Sequence, residues 1–310
     1  MRIAAVGAGA EASANLNKWA AVDGMEIAGI YDENEAVAKQ AAAACHTTPY
    51  TCMNTMLEEV KPQLILVQGG SASGMAEQIQ AAIRSGVDVR CASVLAEDLE
   101  QAQAQLDQWQ QAAGRVMVLS SSRFDPRFID LKQAIAGGKI GRFGVMNTTC
   151  YMPDNNANLI EAMIRELGMV LDLLGEVKTI YAMQRQQAGV NMMLITLRMA
   201  SGGIVNMEVC SGYPGEAVRK GEIAGNRGVL RYNDSKHTMQ VQQHNSKVAV
   251  TPTRLDIRAL EADQLAGILT DGERAQQLRA HVDEAVRLAS AVLTSVAQGQ
   301  PVKWGGNHDE

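Results

Sequence analysis

A six-residue turn, Gly7-Ala8-Gly9-Ala10-Glu11-Ala12, follows the apolar run Ile3–Val6 and opens an Ala-rich stretch with helical spacing. Two glycines and a small residue at these positions suit the binding of a dinucleotide. Gly7 permits a tight strand-to-helix turn, Gly9 lets the backbone approach a pyrophosphate, and Ala12 lets helix and strand pack closely. The backbone around Ala8, Ala10 and Glu11 then turns its free N–H groups toward the phosphates. A second apolar run, Glu26–Tyr31, ends at Asp32, where a carboxylate accepts hydrogen bonds from the adenosine ribose hydroxyls. Glu33 follows, and two adjacent carboxylates repel a 2′-phosphate, so the expected cofactor is NAD, with NADP disfavoured. The alternative is a tight turn that binds no nucleotide, followed by a surface aspartate.

The elements that position this turn are legible as short apolar runs separated by helical patterns. Ile3–Val6, Glu26–Tyr31, Leu64–Val67, Val87–Cys91 and Val116–Leu119 read as strands. Runs that are apolar on both faces suit a parallel sheet covered by helices on each side, an α/β doubly wound arrangement. After Ser120 the rhythm changes. A helix is expected over Pro126–Ala136, a strand near Phe143–Thr149, a helix over Ala157–Leu174 and a last helix over Gly272–Ala297. Between Val177 and Val250, strand-like segments alternate with the turn signals Ser201-Gly202-Gly203, Gly225-Asn226-Arg227-Gly228 and Asn233-Asp234. The reading is therefore two domains: residues 1–120, a Rossmann domain, and residues 121–310, an α+β domain with an open, mainly antiparallel sheet.

Composition excludes several functions. The 310 residues carry 28 Lys+Arg against 34 Asp+Glu, a net charge of −6, with no basic run, which argues against nucleic-acid or anionic-membrane partners. No apolar stretch approaches the roughly 20 residues of a membrane span. The N-terminal apolar run is too short for a signal peptide, so a cytoplasmic protein is expected. The five cysteines, Cys45, Cys52, Cys91, Cys150 and Cys210, show no zinc spacing, and no metal site is expected. They read as reduced thiols packed as small hydrophobes.

Taken together, these residues resemble the Gfo/Idh/MocA family, the glucose-fructose oxidoreductase and inositol dehydrogenase group. The resemblance rests on the glycine turn, Ala76-Glu77-Gln78 leading to Ser85-Gly86-Val87-Asp88-Val89, Ser122-Arg123-Phe124-Asp125-Pro126 and Gly137-Gly138-Lys139-Ile140-Gly141-Arg142-Phe143. Gly203, Gly225 to Leu230 and Ser295 to Val302 extend it to the end of the chain. It implies an NAD(P)-binding domain, a second domain carrying substrate specificity and oligomer contacts through its sheet, and an active site where the two meet. The expected function is oxidoreduction of a small hydroxylated or oxo substrate by a homo-oligomer. The alternative is an inactive, nucleotide-binding regulator or assembly partner.

The chain departs from the family where chemistry is done. A Glu-Lys-Pro tripeptide usual after the strand that ends at Cys91 is Ala92-Ser93-Val94 here, so Ser93 stands at the lysine position. An Asp-x-Gly-x-His pattern on the helix of the second domain becomes Glu161-Ala162-Met163-Ile164-Arg165. The loop after Leu64–Val67, usually Thr-Pro-Asn followed by histidine, reads Gly69-Gly70-Ser71-Ala72-Ser73-Gly74-Met75. Gly70, Ser71, Met75 and Ser93 are thereby implied to border the nicotinamide half. Alcohol oxidation needs a group that accepts the hydroxyl proton, and arginine stays protonated, so among the aligned positions only Glu161 qualifies. Glu161 and Arg165 are spaced i, i+4. Either they pair on the helix surface, or Arg165 holds a substrate oxygen while Glu161 orients it or acts as base. Tyr151, Asp154 and Arg123 are lesser candidates, and His237 and His244 read as solvated or packed side chains.

Overall fold

Fully apolar segments decide the first part of the fold. Ile3–Val6 and Leu64–Val67 are buried along their whole length, which places them in a sheet covered on both faces. We describe the protein from a computed structural model at residues 1–68, 72–91, 98–110, 116–118, 125–153, 158–234, 236, 238–243, 246–250, 260–261, 264–265, 267–268 and 271–305. The chain divides into two compact units, Met1–Phe124 with Leu255–Asp283, and Asp125–Arg254 with Glu284–Glu310.

The first unit runs β1 (Arg2–Val6), α1 (Ala10–Ala20), β2 (Glu26–Tyr31), α2 (Glu35–Ala44), β3 (Pro49–Tyr50), α3 (Met53–Val60), β4 (Leu64–Val67), α4 (Ala72–Arg84), β5 (Asp88–Cys91), α5 (Leu99–Gln110) and β6 (Val116–Val118). The strands pair in parallel in the order β3-β2-β1-β4-β5-β6. That order reverses between β1 and β4, the point at which ligands bind in doubly wound sheets. β3, which the sequence does not announce, is only two residues long and begins with a proline. It is held because Ile30 and Asp32 donate N–H groups to the carbonyls of Thr48 and Tyr50.

The core of this unit joins Ile3, Leu16, Trp19, Ile30, Leu64 and Leu66 to Leu265, Ile268 and Ala275 of the returning segment. An ion pair fastens that segment to the sheet. Arg90 on β5, 1% exposed, contacts the Glu261 carboxylate, 0% exposed.

The second unit contains α6 (Pro126–Ala136), β7 (Phe143–Met152), α7 (Leu159–Leu174), β8 (Val177–Gln187), β9 (Val190–Met199), β10 (Ile204–Ser211), β11 (Val218–Gly225), β12 (Val229–Asn233), β13 (Thr238–Gln243), β14 (Ser246–Val250) and β15 (Val302–Lys303). The helix α8 (Gly272–Gln298) runs through the ranges of both units. Nine strands form one sheet, β14-β13-β12-β11-β7-β10-β9-β8-β15, in which β7 and β10 are parallel and the other pairs antiparallel. Alternation sets its two faces. Met146, Thr148 and Cys150 of β7 are buried beneath helices, whereas Met183, Met192 and Ile204 lie exposed. Asp125 caps α6 by accepting the Arg127 N–H at 2.9 Å, and Asn158 caps α7 by accepting those of Ile160 and Glu161. Near the end of α8, Ser295 accepts the Ala182 N–H at 3.0 Å and donates to the Gln300 carbonyl at 2.7 Å, which ties the helix to β8.

The cysteines divide against the uniform expectation. Cys91, Cys150 and Cys210 are buried, but Cys45 is only partly covered and Cys52 is exposed at the start of α3. Because the Cys52 side chain is open to solvent, the reading of all five as packed thiols is corrected for Cys52.

Candidate functional site

The glycine turn has the geometry its residue types dictate. Gly7 takes φ 82°, in the left-handed region, and donates its N–H to the Tyr31 carbonyl at 3.0 Å, so the turn is stitched to the end of β2. Gly9 is the N-cap of α1, and no side chain caps that helix. Its first amides are therefore left for a ligand. Among the described residues, a Cβ on Gly9 would meet nothing within 4 Å, which leaves room for a pyrophosphate to approach the helix start. Ala10 and Glu11 are described by their backbone alone.

Asp32 directly follows β2. One carboxylate oxygen accepts the Ala8 N–H at 2.8 Å and the other accepts the Asn34 N–H at 2.9 Å. Each oxygen retains a lone pair, and with the orientation fixed by two amides the carboxylate is preorganised to receive ribose hydroxyls. The surroundings are negative. The phenol of Tyr31 is pushed up first by burial and then by Glu33, Asp32, Cys52 and Glu77. A 2′-phosphate entering that field would be repelled. The residues present thus fit NAD. Met75 is on α4 and buried. Gly70, Ser71 and Ser93, like Arg123, Asp154, His237 and His244, lie outside the described residues.

A second group of charged side chains belongs to α7 and the strands beneath it. Glu161 and Arg165 make no ion pair with each other. Arg165 instead donates through Nε to Glu166 at 3.3 Å and through Nη2 to the Cys150 sulfur at 3.3 Å. Its side chain is 32% exposed, whereas that of Glu166 is completely buried. Glu166 also receives Arg219 Nε at 2.8 Å, and Arg219 Nη1 meets Asp234 at 2.8 Å. Arg127 lies 3.3 Å from Asp234 and is paired with Asp125. Burial would raise the Glu166 carboxyl, but Arg219 and Arg165 outweigh it and hold the group below the usual carboxylate range. Arg219 also stacks 4.8 Å over the Phe128 ring. Beside this network the Tyr232 hydroxyl, pushed up by burial and then by Glu166, meets the Thr148 hydroxyl at 2.8 Å.

Sequence reasoning missed Glu166, Arg219 and Asp234. A signal for Glu166 was present, because it falls on the stripe Met163-Leu167-Val170 that α7 buries, and a carboxylate on such a stripe requires a cationic partner. Which strand would supply the partner is not encoded locally.

Ionised between two guanidiniums, Glu166 is unsuited to accepting a proton. Glu161 is part-exposed in the first turn of α7. Tyr151 is held elsewhere, its hydroxyl donating to Glu208 and its ring packed 4.7 Å from that of Tyr213. Among the described residues no group of three or more His, Cys, Asp or Glu could hold a metal ion, and no helix is long and apolar enough to cross a membrane.

Residues 1–120 match the family model GFO_IDH_MocA, described as "Oxidoreductase family, NAD-binding Rossmann fold". No protein of curated function matches the chain. Solved structures share its fold over nearly the whole length. An NAD-binding oxidoreductase from Klebsiella pneumoniae is 16% identical with a TM-score of 0.82, covering 99% of this chain and 100% of its own. A myo-inositol dehydrogenase from Corynebacterium glutamicum is 19% identical with a TM-score of 0.77, covering 99% of each chain. Levoglucosan dehydrogenase, solved with NADH and L-sorbose, is 15% identical with a TM-score of 0.79, covering 98% of each. At these identities the likeness establishes the fold.

Proposed function

Because residues 1–120 match the family model of NAD-binding Rossmann oxidoreductases, we propose that this chain is a Gfo/Idh/MocA-type NAD-dependent oxidoreductase with a non-standard active site. Its substrate is a small hydroxylated or oxo compound, a sugar, cyclitol or hydroxy acid, as the printed names of the sugar and cyclitol dehydrogenases of this fold suggest.

The observation that carries the reading is the pair of preorganised groups. Asp32 is aimed by two backbone amides, and Arg165 is anchored at Nε while part of its guanidinium stays exposed. When bound, NAD would supply the hydride acceptor. Gly7, Gly9, Asp32 and the amides around Ala8, Ala10 and Glu11 would hold the dinucleotide, and the resemblance assigns Gly70, Ser71, Met75 and Ser93 to its nicotinamide half. Arg165 holds the substrate oxygen as a bidentate donor. In the oxidative direction the substrate loses a hydride from carbon and a proton from its hydroxyl, and the proton passes to the Glu161 carboxylate. A screen for NADH formation over sugars, cyclitols and hydroxy acids tests this reading. Turnover that Arg165→Gln and Glu161→Gln each reduce at least a hundredfold supports it, and turnover unaffected by both contradicts it.

A second reading, a cofactor-binding regulator without turnover, is favoured by one specific feature. The position where the family carries lysine is Ser93. We also assign the open sheet face, with Met183 49% and Ile204 45% exposed, to contact with a second copy. Met183→Lys combined with Ile204→Lys then reduces the mass seen by light scattering to that of one chain.

A further inference from the structure

We propose that Glu166 is a positioning residue that fixes the guanidinium of Arg165 for an anionic or carbonyl oxygen of the substrate, an inference that rests on the reading of Arg165 as the substrate anchor. Arg165 is the end of a chain of alternating charges. Asp125 pairs with Arg127, Arg127 with Asp234, Asp234 with Arg219, Arg219 with Glu166, and Glu166 with Arg165. Three guanidiniums face three carboxylates, so the chain is neutral, and each carboxylate is buried or mostly buried.

Arg165 differs from the other two arginines in its exposure, 32% of the side chain against 9% for Arg127 and 15% for Arg219. Of its five donors, Nε serves Glu166 and one Nη2 hydrogen serves Cys150, which leaves Nη1 unused among the described residues. With Nε and one Nη2 hydrogen engaged, the Nη1 donors and the second Nη2 hydrogen form the end of the guanidinium that can fork onto two oxygens.

A free arginine side chain visits many rotamers, and ordering it on binding costs affinity. Anchoring it beforehand removes that cost. Glu166 is suited to this role because it is itself immobile. Its Oε1 is shared by Arg219 and Arg165, and its Oε2 is buried without a hydrogen-bond partner among the described residues. Glu161, the alternative partner one turn earlier, makes no bond to Arg165 and is left for proton transfer.

Malonate serves as the probe, titrated calorimetrically into the full chain loaded with NAD. Wild type binds it, Arg165→Gln loses at least tenfold in affinity, and Glu166→Gln loses as much although Arg165 is intact, with NAD affinity unchanged. The NMR signal of the Arg165 Nε–H, assigned by its absence in Arg165→Gln, is protected from exchange in wild type and loses protection in Glu166→Gln. Should Glu166→Gln fail to fold, the charge-balanced Glu166→Gln/Arg219→Gln variant gives the same readouts. Wild-type malonate affinity and a protected Nε–H in a folded Glu166 variant, with binding lost in Arg165→Gln, overturn the positioning role alone. Equal malonate affinity in wild type and Arg165→Gln, or no binding to wild type, overturns the anchor reading and this inference with it.

Discussion

Arg165 donates to the carboxylate of Glu166, its immediate neighbour in sequence, and makes no ion pair with Glu161 one turn earlier. Adjacent side chains on a helix diverge, and spacing alone favours the i, i+4 partner. Burial reverses that preference. A carboxylate shielded from water interacts more strongly with a nearby cation than an exposed one does, and Glu166 also needs the charge to remain ionised.

That need makes the second unit sensitive to acid. The Glu166 carboxyl is held below its ordinary value of 4.5 by Arg219 and Arg165. Its stabilisation is fully present above the unfolded-state value and is lost as pH falls through the lower folded-state value. Urea midpoints measured from pH 7 to pH 3 therefore fall for wild type below about pH 4.5, and Glu166→Gln/Arg219→Gln shows a shallower decline over the same range. Identical slopes would remove Glu166 from the acid response.

The dinucleotide turn gives a direct binding prediction. Asp32→Ala removes the proposed acceptor for the ribose and the acceptor of the Ala8 N–H. Hydrogen bonds to a charged group contribute about 1.5–3 kcal/mol, so NAD affinity falls roughly tenfold to a hundredfold. Gly9→Glu places a side chain and a negative charge in the open space over α1 and weakens NAD at least as much. Fluorescence titration with NADH checks both.

This turn was the most legible part of the chain, because its function depends on local residue types: Gly7 for φ, Gly9 for space and Asp32 for the strand end. The parallel sheet was equally plain in the apolar runs of β1 and β4. What the sequence concealed was long-range. The pairing of Arg219 with Glu166 joins β11 to α7, and the packing of Leu265 and Ile268 against Leu16 and Trp19 returns a segment across more than two hundred residues. Neither leaves a periodic trace, since each depends on where the sheet brings distant strands. The i, i+4 reading of Glu161 and Arg165 failed for the same reason, because the competing partner gained its strength from burial.

The returning segment supplies a stability prediction. Arg90 and Glu261 are both buried in the first unit. Breaking a buried ion pair by removing one partner is strongly destabilising, by about 3–5 kcal/mol. Glu261→Gln consequently unfolds at markedly lower denaturant than wild type, whereas Glu35→Gln, which breaks the exposed and solvent-screened pair with Lys39, leaves the midpoint nearly unchanged. Chemical denaturation of the three proteins checks the contrast.

Whether the chain transfers hydride is tested most directly by deuterium exchange at the nicotinamide C4 position. NADH deuterated at C4 is incubated with the protein and with oxo forms of sugars, cyclitols and hydroxy acids, and deuterium is followed by mass spectrometry. Deuterium is expected on the carbinol carbon of at least one reduced product, with transfer lost in Arg165→Gln. Tight NADH binding with no deuterium leaving C4 for any member of the panel would contradict it and identify the chain as a binding protein.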